Sequence, residues 1–242
     1  MPKKISQPAV LITGGAKRLG QVMAMHLAKQ GYAIALHYSA SKISAVKTQQ
    51  AILKLKVPCE LFQADLADEK QAVRLVGDVV KRFAGLNLLI NSASIFIPNR
   101  FGAQNLTLFK AHWNINYKAP YLLSCEFVRL VKKGQIVNFI DTNVTQYASL
   151  HQDYLMTKKA LAEFTKMSSV AWGPHIRVNG ISPGMILAPV NNQPDDRRKR
   201  ALRIPLQKVG DPRYVLQVLQ LLLDNEYLTG QIIAVDGGEA LV

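Results

Sequence analysis

The chain holds little of what would tie it to metals, disulfides or membranes. Two cysteines among 242 residues, Cys59 and Cys125, cannot build a disulfide framework, and no Cys/His spacing resembles a zinc site. Two buried thiols in a reducing compartment are expected, and no metal. No run of 18 apolar residues occurs, and the short apolar stretch after Lys3 and Lys4 runs into glycines before it could serve as a signal-peptide core. A soluble, cytoplasmic protein with no membrane partner follows as the expectation. Charged residues make up only 19% against 49% apolar, which excludes disordered, collagen-like and coiled-coil classes. Acid is the scarcer charge: 16 Asp+Glu face 30 Lys+Arg, a formal net charge of +14. Such a field attracts anions.

What is present is a regular alternation. Apolar runs of strand length (9–13, 33–37, 60–63, 86–91, 135–140, 177–181 and 232–235) alternate with amphipathic stretches at about 18–30, 42–55, 68–84, 104–131, 153–172 and 211–224. This is the pattern of βαβ units. It predicts a single α/β domain over 1–242, a Rossmann-type doubly wound parallel sheet of about seven strands, with Asp68 and Asp211 starting their helices. No linker or internal repeat interrupts it. The stretch 182–205, rich in Pro and Asn and then basic, resists the scheme and reads as a lid with a short helix at 195–203. In such a fold ligands bind where the strands end at their carboxyl side and the strand order reverses, so motifs at strand ends carry the most weight.

The first strand runs into Gly14-Gly15-Ala16-Lys17-Arg18-Leu19-Gly20 and then an amphipathic helix. Gly14 suits a tight turn, Gly20 lets the helix pack close, and the helix start offers N–H groups to a pyrophosphate. Arg18 stands where the middle glycine of such a turn is usual, and reads as a cation reaching over phosphates. The second strand ends His37-Tyr38-Ser39-Ala40-Ser41-Lys42, with no acid to hold a ribose 2′-hydroxyl. That end favours a 2′-phosphate, with Ser39, Ser41, Lys17 and Lys42 as partners, and hence NADPH over NADH. Asp65 and Leu66 follow the third strand; Asp65 suits an adenine amino group or, equally, a helix N-cap. Asn91-Ser92-Ala93-Ser94 ends the fourth with small residues that leave room for a cofactor.

Tyr154-Leu155-Met156-Thr157-Lys158 places a phenol and an ammonium on one helix face, where the lysine is expected to lower the tyrosine pKa and make it a usable acid or base. Together with the glycine turn, the Asn91–Ser94 segment, Asn116 and Val235-Asp236-Gly237-Gly238, this resembles the short-chain dehydrogenase/reductase family over essentially the whole chain. Most of that family carry Ser thirteen residues before the tyrosine; here the residue is Asp141. With Arg18, Leu36-His37-Tyr38 and the segment from Asn91 to Phe96, it looks like the pteridine reductase branch and its bacterial dihydromonapterin and dihydrofolate reductase relatives.

The resemblance implies NADPH-dependent reduction of pterins, with dihydrobiopterin, dihydromonapterin and dihydrofolate as the substrate class. It implies stacking of the pterin on Phe96, substrate contacts from Arg18 and Ser94, and proton delivery by Asp141 and Tyr154. Lys158 would hold the nicotinamide ribose, Asn116 would order a water leading to Lys158, and His37, Tyr38, Pro183 and Gly184 would border the cofactor. Met185, Ile186 and Leu187 would form an apolar wall. A homotetramer is implied, with the helices at 104–131 and 153–172 as interface elements. One departure is that Ser39, Ala40 and Ser41 stand where the branch has His-Arg-Ser. Two other readings remain: a carbonyl or enoyl-thioester reductase, against which Asp141 argues, and a nucleic-acid-binding protein on a reductase scaffold. Arg197-Arg198-Lys199-Arg200 prompts the latter but lacks interleaved aromatics. The first acid in the chain is Glu60, so nine cations in residues 1–59 are offset by none. They lie in the two βα units that would meet the cofactor's phosphates, and nucleic acid is not an expected partner.

Overall fold

In the computed structural model, residues 4–100, 105–147, 150–187, 199 and 201–242 are described. β1 (Ala9–Ile12), β2 (Ala33–Tyr38), β3 (Cys59–Gln63), β4 (Leu86–Asn91), β5 (Gly134–Phe139), β6 (Ile176–Pro183) and β7 (Ile232–Val235) form one sheet. The order is β3-β2-β1-β4-β5-β6-β7, and every pairing is parallel. The four residues of β1 are all buried, because both faces of the sheet are covered. Val10 and Ile12 pack with Met23 and Leu27 of α1 (Arg18–Lys29) and Val215 and Leu219 of α7 (Pro212–Asp224). Ala9 and Leu11 point the other way, to Val76 and Val79 of α3 (Glu69–Arg82) and Leu123 and Phe127 of α5 (Ala119–Leu130). The period of two along the strand thus sorts the core into two layers. α2 (Lys42–Leu53) lies with α1, and α6 (Gln152–Trp172) packs beside α5 and β6.

Two helix starts are capped as the sequence suggests. Asp68 accepts from Lys70 and Gln71 amides at the start of α3, and Asp211 accepts from Arg213 ahead of α7. After β3 the chain crosses back to lay β4 on the other side of β1. The carboxyl ends of these two strands therefore diverge into a crevice.

The single long helix expected at 104–131 is not what forms. α4 (Leu106–Trp113) passes into a π-helical turn, Asn114–Lys118, before α5. Pro120 has no N–H to give the Asn116 carbonyl, so the α-helical ladder fails there and a wider turn replaces it. Of the expected lid, Ser182–Leu187, Lys199 and 201–205 are described; the rest of the basic run, and most of the helix expected at 195–203, lie outside the described residues. Met185, Ala201 and Ile204 gather with Val209 into a small apolar cluster.

Candidate active site

The β1–α1 turn is pressed against the end of β4. Gly14 takes φ +66°, and a Cβ there would sit 3.1 Å from the Ala93 Cα; a Cβ on Gly20 would come within 2.3 Å of the Gly14 carbonyl oxygen. No larger residue fits at Gly20 without moving the turn. The Gly14 amide donates to His37 Nδ1 at 3.1 Å, and His37 Nε2 lies 3.1 Å from the Ala64 carbonyl. Nδ1 accepts, so the proton is on Nε2. Burial holds this ring neutral, pushing its pKa down to about 4. His37 is 2% exposed and Tyr38 is buried, so both lie beneath the turn as struts. Arg18 adopts a left-handed φ of 53°, the conformation a glycine would take there, at a cost of about 1–2 kcal/mol.

The helices that open onto the crevice begin differently from α3 and α7. α1 starts at Lys17 and α2 at Ser41, neither with a side-chain cap bond and neither with an acid in its first turn. Their first amides, positively polarised by the helix dipole, are supplemented by exposed Lys17, Arg18 and Lys42. These groups could hold anionic phosphate groups of a cofactor. Exposed Ser39 and half-buried Ser41 add hydroxyls at the end of β2, where the branch's arginine is missing. At the end of β3, Asp65 is exposed and its Oδ1 closes a local turn on the Ala67 amide; the N-cap of α3 is Asp68, and Leu66 is buried in the core.

At the end of β4, a residue that sequence reasoning passed over joins two strands. Thr13 Oγ1 accepts from the Ser92 and Ala93 amides at 2.9 and 3.0 Å and donates to the Ile90 carbonyl. Asn91 is buried and donates to Asn138 Oδ1 and Ser124 Oγ, and Asn138 in turn donates to Thr165, so polar groups tie β4 to β5 and α6 below the crevice. Beyond them the strand is held by the π-helical turn. Asn116 Oδ1 accepts from the Ile95 amide at 2.9 Å and from the Ser94 hydroxyl at 3.1 Å, while its Nδ2 donates to the Ile95 carbonyl at 3.0 Å. The buried His112 lies 3.2 Å from the Ile97 carbonyl through Nε2. The Asn116 side chain thus anchors the backbone just before Phe96 and His112 the backbone just after it, while Phe96 itself is 53% exposed.

The chemistry converges after β5. Asp141 caps a 3-10 turn, Thr142–Thr145, its Oδ1 accepting from the Asn143 amide and side chain. Its Oδ2 accepts from the Tyr154 hydroxyl at 2.7 Å. Lys158, one helical turn beyond Tyr154 and 3% exposed, donates to the Phe139 carbonyl at 2.7 Å and stands 5.8 Å from the Tyr154 ring centre. Burial lowers the Lys158 pKa to about 8, against the opposing pull of Asp141. The expectation of a tyrosine acidified by this lysine is corrected here. Burial first, and then the charge and hydrogen bond of Asp141, raise the Tyr154 pKa well above its ordinary 10.0. A buried phenol beside a carboxylate keeps its proton. Such a pair can donate a proton, and the hydrogen bond allows exchange between Asp141 and the phenolic oxygen.

The far wall is the end of β6. A Cβ on Gly184 would lie 2.6 Å from Glu239 Oε2 and 2.7 Å from Asp236 Cβ, and the Met185 amide donates to Glu239. Asp236 accepts from the Thr142 hydroxyl and from the Gly238 and Ala240 amides, locking the turn after β7 to the Asp141 segment. Of the expected apolar wall, Met185 and Ile186 are buried and Leu187 is half-buried. A separate cavity of about 330 Å³, lined by Ile204, Leu206, Val209 and Tyr214 among others, lies behind Met185 and Ile186 and includes neither Phe96 nor Tyr154.

Comparison with known proteins identifies a family and several relatives. Residues 14–239 match the family described as enoyl-(acyl carrier protein) reductase. The dihydromonapterin reductase of Escherichia coli O6:H1 is 28% identical over 249 aligned positions, covering 100% of both chains. The NADP(+)-dependent L-rhamnose 1-dehydrogenase of Thermoplasma acidophilum is 27% identical over 243, with 94% of each covered. Among solved structures, FolM alternative dihydrofolate reductase 1 from Brucella suis, in complex with NADP, superposes with a TM-score of 0.93 at 30% identity, covering 98% of this chain and 97% of that one. The Brucella canis protein of the same name, also with NADP, gives 0.91 at 29%, covering 99% and 97%.

Proposed function

The chain belongs to the short-chain dehydrogenase/reductase family, and from that premise we propose that it is an NADPH-dependent reductase of dihydropterins, dihydrofolate included. The observation that carries the reading is the Tyr154 hydroxyl resting on the Asp141 carboxylate at 2.7 Å, with the Phe96 ring 4.7 Å from that of Tyr154. A carbonyl substrate needs a neutral donor facing a developing alkoxide, and a carboxylate beside the tyrosine opposes that charge. A ring nitrogen that ends neutral and protonated meets no such penalty, and a flat heterocycle gains from the exposed ring. The relatives that act on dihydromonapterin and dihydrofolate support the same substrate class.

The residues fit NADPH: two uncapped helix starts at Lys17 and Ser41, cations at Lys17, Arg18 and Lys42, and no acid at the end of β2. When bound, it supplies a hydride. The chain's own part is alignment and a proton. Gly14, Leu19 and Gly20 shape the turn for the pyrophosphate; Ser39, Ser41 and Lys42 receive the 2′-phosphate; Asp65 and Leu66 border the adenine; and Ser92, Ala93, Pro183 and Gly184 line the nicotinamide end. Phe96, Arg18 and Ser94 position the pterin. Tyr154 gives its proton to the ring nitrogen and is reprotonated from solvent, a proton that Asp141 can relay once water has protonated its carboxylate, while buried Lys158 would hold the ribose.

The test is NADPH oxidation with dihydrobiopterin, dihydromonapterin and dihydrofolate in parallel with a simple ketone and an enoyl thioester, and NADP+ reduction with a sugar. Turnover confined to the last three overturns the proposal. A homotetramer in the cytoplasm is the accompanying reading, supported by free cysteines and by exposed Tyr121, Met167 and Val170 on α5 and α6. Light scattering that reports a monomer refutes the assembly. Among the described residues, no helix is long and apolar enough to cross a membrane.

A further inference from the structure

Beyond Asn91 the chain leaves the sheet, and residues 92–100, which carry the ring on which a flat substrate would stack, belong to no strand or helix. Phe96 is too exposed for packing alone to fix it. Side chains that reach the backbone on either side of it do so instead. Asn116 bonds the Ile95 amide and carbonyl, His112 lies 3.2 Å from the Ile97 carbonyl, and Asn99 Oδ1 accepts from the Asp153 amide at 3.2 Å.

His112 is the member of this set that sequence reasoning gave no role. It is 0% exposed, in the last turn of α4, and four residues before Asn116, so the two side chains share a helix face. Its neighbours dictate where its proton sits. Asn116 Oδ1 accepts from the Ile95 amide and the Ser94 hydroxyl, so Nδ2 is the donor end of that side chain, and it faces His112 Nδ1 at 3.3 Å. Nδ1 therefore accepts, and Nε2 carries the proton it gives to the Ile97 carbonyl. Burial lowers the His112 pKa from its ordinary 6.5, against the pull of the Ile97 carbonyl and Asp153, and so favours this neutral form. One imidazole thus closes a hydrogen-bonded loop around Phe96, from Ile95 through Asn116 and His112 to Ile97. The same imidazole stands edge-on to Tyr154, with centroids 6.3 Å apart and planes at 70°.

We propose that His112 is a positioning residue of the substrate site: donating to the Ile97 carbonyl while accepting from Asn116, it holds the Phe96 ring in register with the Tyr154 hydroxyl. The proposal rests on the reading of Phe96 as the platform for a flat heteroaromatic. Without the tie to Ile97 the ring spends part of its time where a substrate cannot both stack on it and meet Tyr154, and the apparent affinity falls by that fraction. Tyr154, tied to Asp141, still protonates whatever binds correctly, so the loss falls on KM and spares kcat.

The experiment measures KM and kcat for a dihydropterin in wild type, His112→Phe, His112→Gln and His112→Asn. His112→Phe keeps a ring beside Tyr154 and drops both polar ends. Gln reaches as far as Nε2 and can donate to Ile97; Asn reaches only as far as Nδ1 and can accept from Asn116 alone. KM is expected to rise about three- to tenfold in the Phe and Asn variants, the worth of one hydrogen bond, and to stay near wild type in the Gln variant. Calorimetric titration of the dihydropterin into protein saturated with NADP+ should give the same ratios without turnover. NADPH affinity should be unchanged, because the Thr13 bonds to the Ser92 and Ala93 amides do not involve His112. If His112→Phe does not fold, the Gln and Asn variants decide. Equal KM in those two, or a loss confined to kcat, overturns the proposal. Pterin turnover in wild type with KM unmoved by any of the substitutions sinks the role of His112 alone, whereas a wild type that reduces carbonyls but no pterin sinks the functional reading.

Discussion

Acidification should strip stability from this fold through one buried imidazole. His37 accepts the Gly14 amide and reaches the Ala64 carbonyl from inside the core, and its pKa falls from 6.5 to about 4. Between those values the unfolded chain takes up a proton that the folded chain refuses, so stability rises with pH across the window. At about 1.4 kcal/mol per pH unit, the contribution is about 3 kcal/mol, complete above pH 6.5 and lost as pH falls to about 4. Urea unfolding of wild type and His37→Asn, followed from about pH 7 to pH 4, isolates it. At neutral pH the variant should be weaker by about 1–3 kcal/mol, because the shorter side chain can still accept from the Gly14 amide through Oδ1 but leaves the buried Ala64 carbonyl without its donor. The gap should close as pH falls. His112, also lowered by burial, tilts both proteins in the same direction and cancels in the difference. Parallel pH dependences for the two proteins would refute the reasoning, since the ring would then titrate alike in both states.

Two further outcomes follow from the cofactor cradle. Lys42→Glu reverses charge at the uncapped start of α2 and should cut the preference for NADPH over NADH about tenfold, roughly the loss of one charge-assisted contact, as read by titration with each cofactor. Gly20→Ala drives a Cβ onto the Gly14 carbonyl oxygen and should lower stability by about 1–3 kcal/mol in thermal melts; a melt matching wild type would mean the turn yields freely.

The sheet was readable in the chain because its strands are nearly continuous apolar runs and its helices repeat every three to four residues, patterns that local sequence alone determines. Asp68 and Asp211 were readable as helix starts for the same reason. Tyr154 and Lys158 were legible from spacing, and Asp141 from its place ahead of them. What was not legible depends on contacts between distant segments. Thr13 and His37 look like ordinary strand residues until β4 and β3 arrive beside them. The break at Asn114–Lys118 was signalled by Pro120, but a proline in the first turn of a helix is also unremarkable, so only the packing of Asn116 against Ile95 decides its meaning. The direction of the Tyr154 pKa likewise waited on burial, which residue spacing does not report.

The central claim, that Tyr154 and Asp141 together deliver a proton to a pterin ring nitrogen, is tested most directly by replacing Asp141 with Ser. The measurement is kcat/KM for a dihydropterin with NADPH, beside NADPH affinity by fluorescence. The account predicts a loss of about a hundredfold or more in kcat/KM, the usual worth of a positioned proton donor, with NADPH binding intact. Unchanged pterin turnover in Asp141→Ser would contradict it.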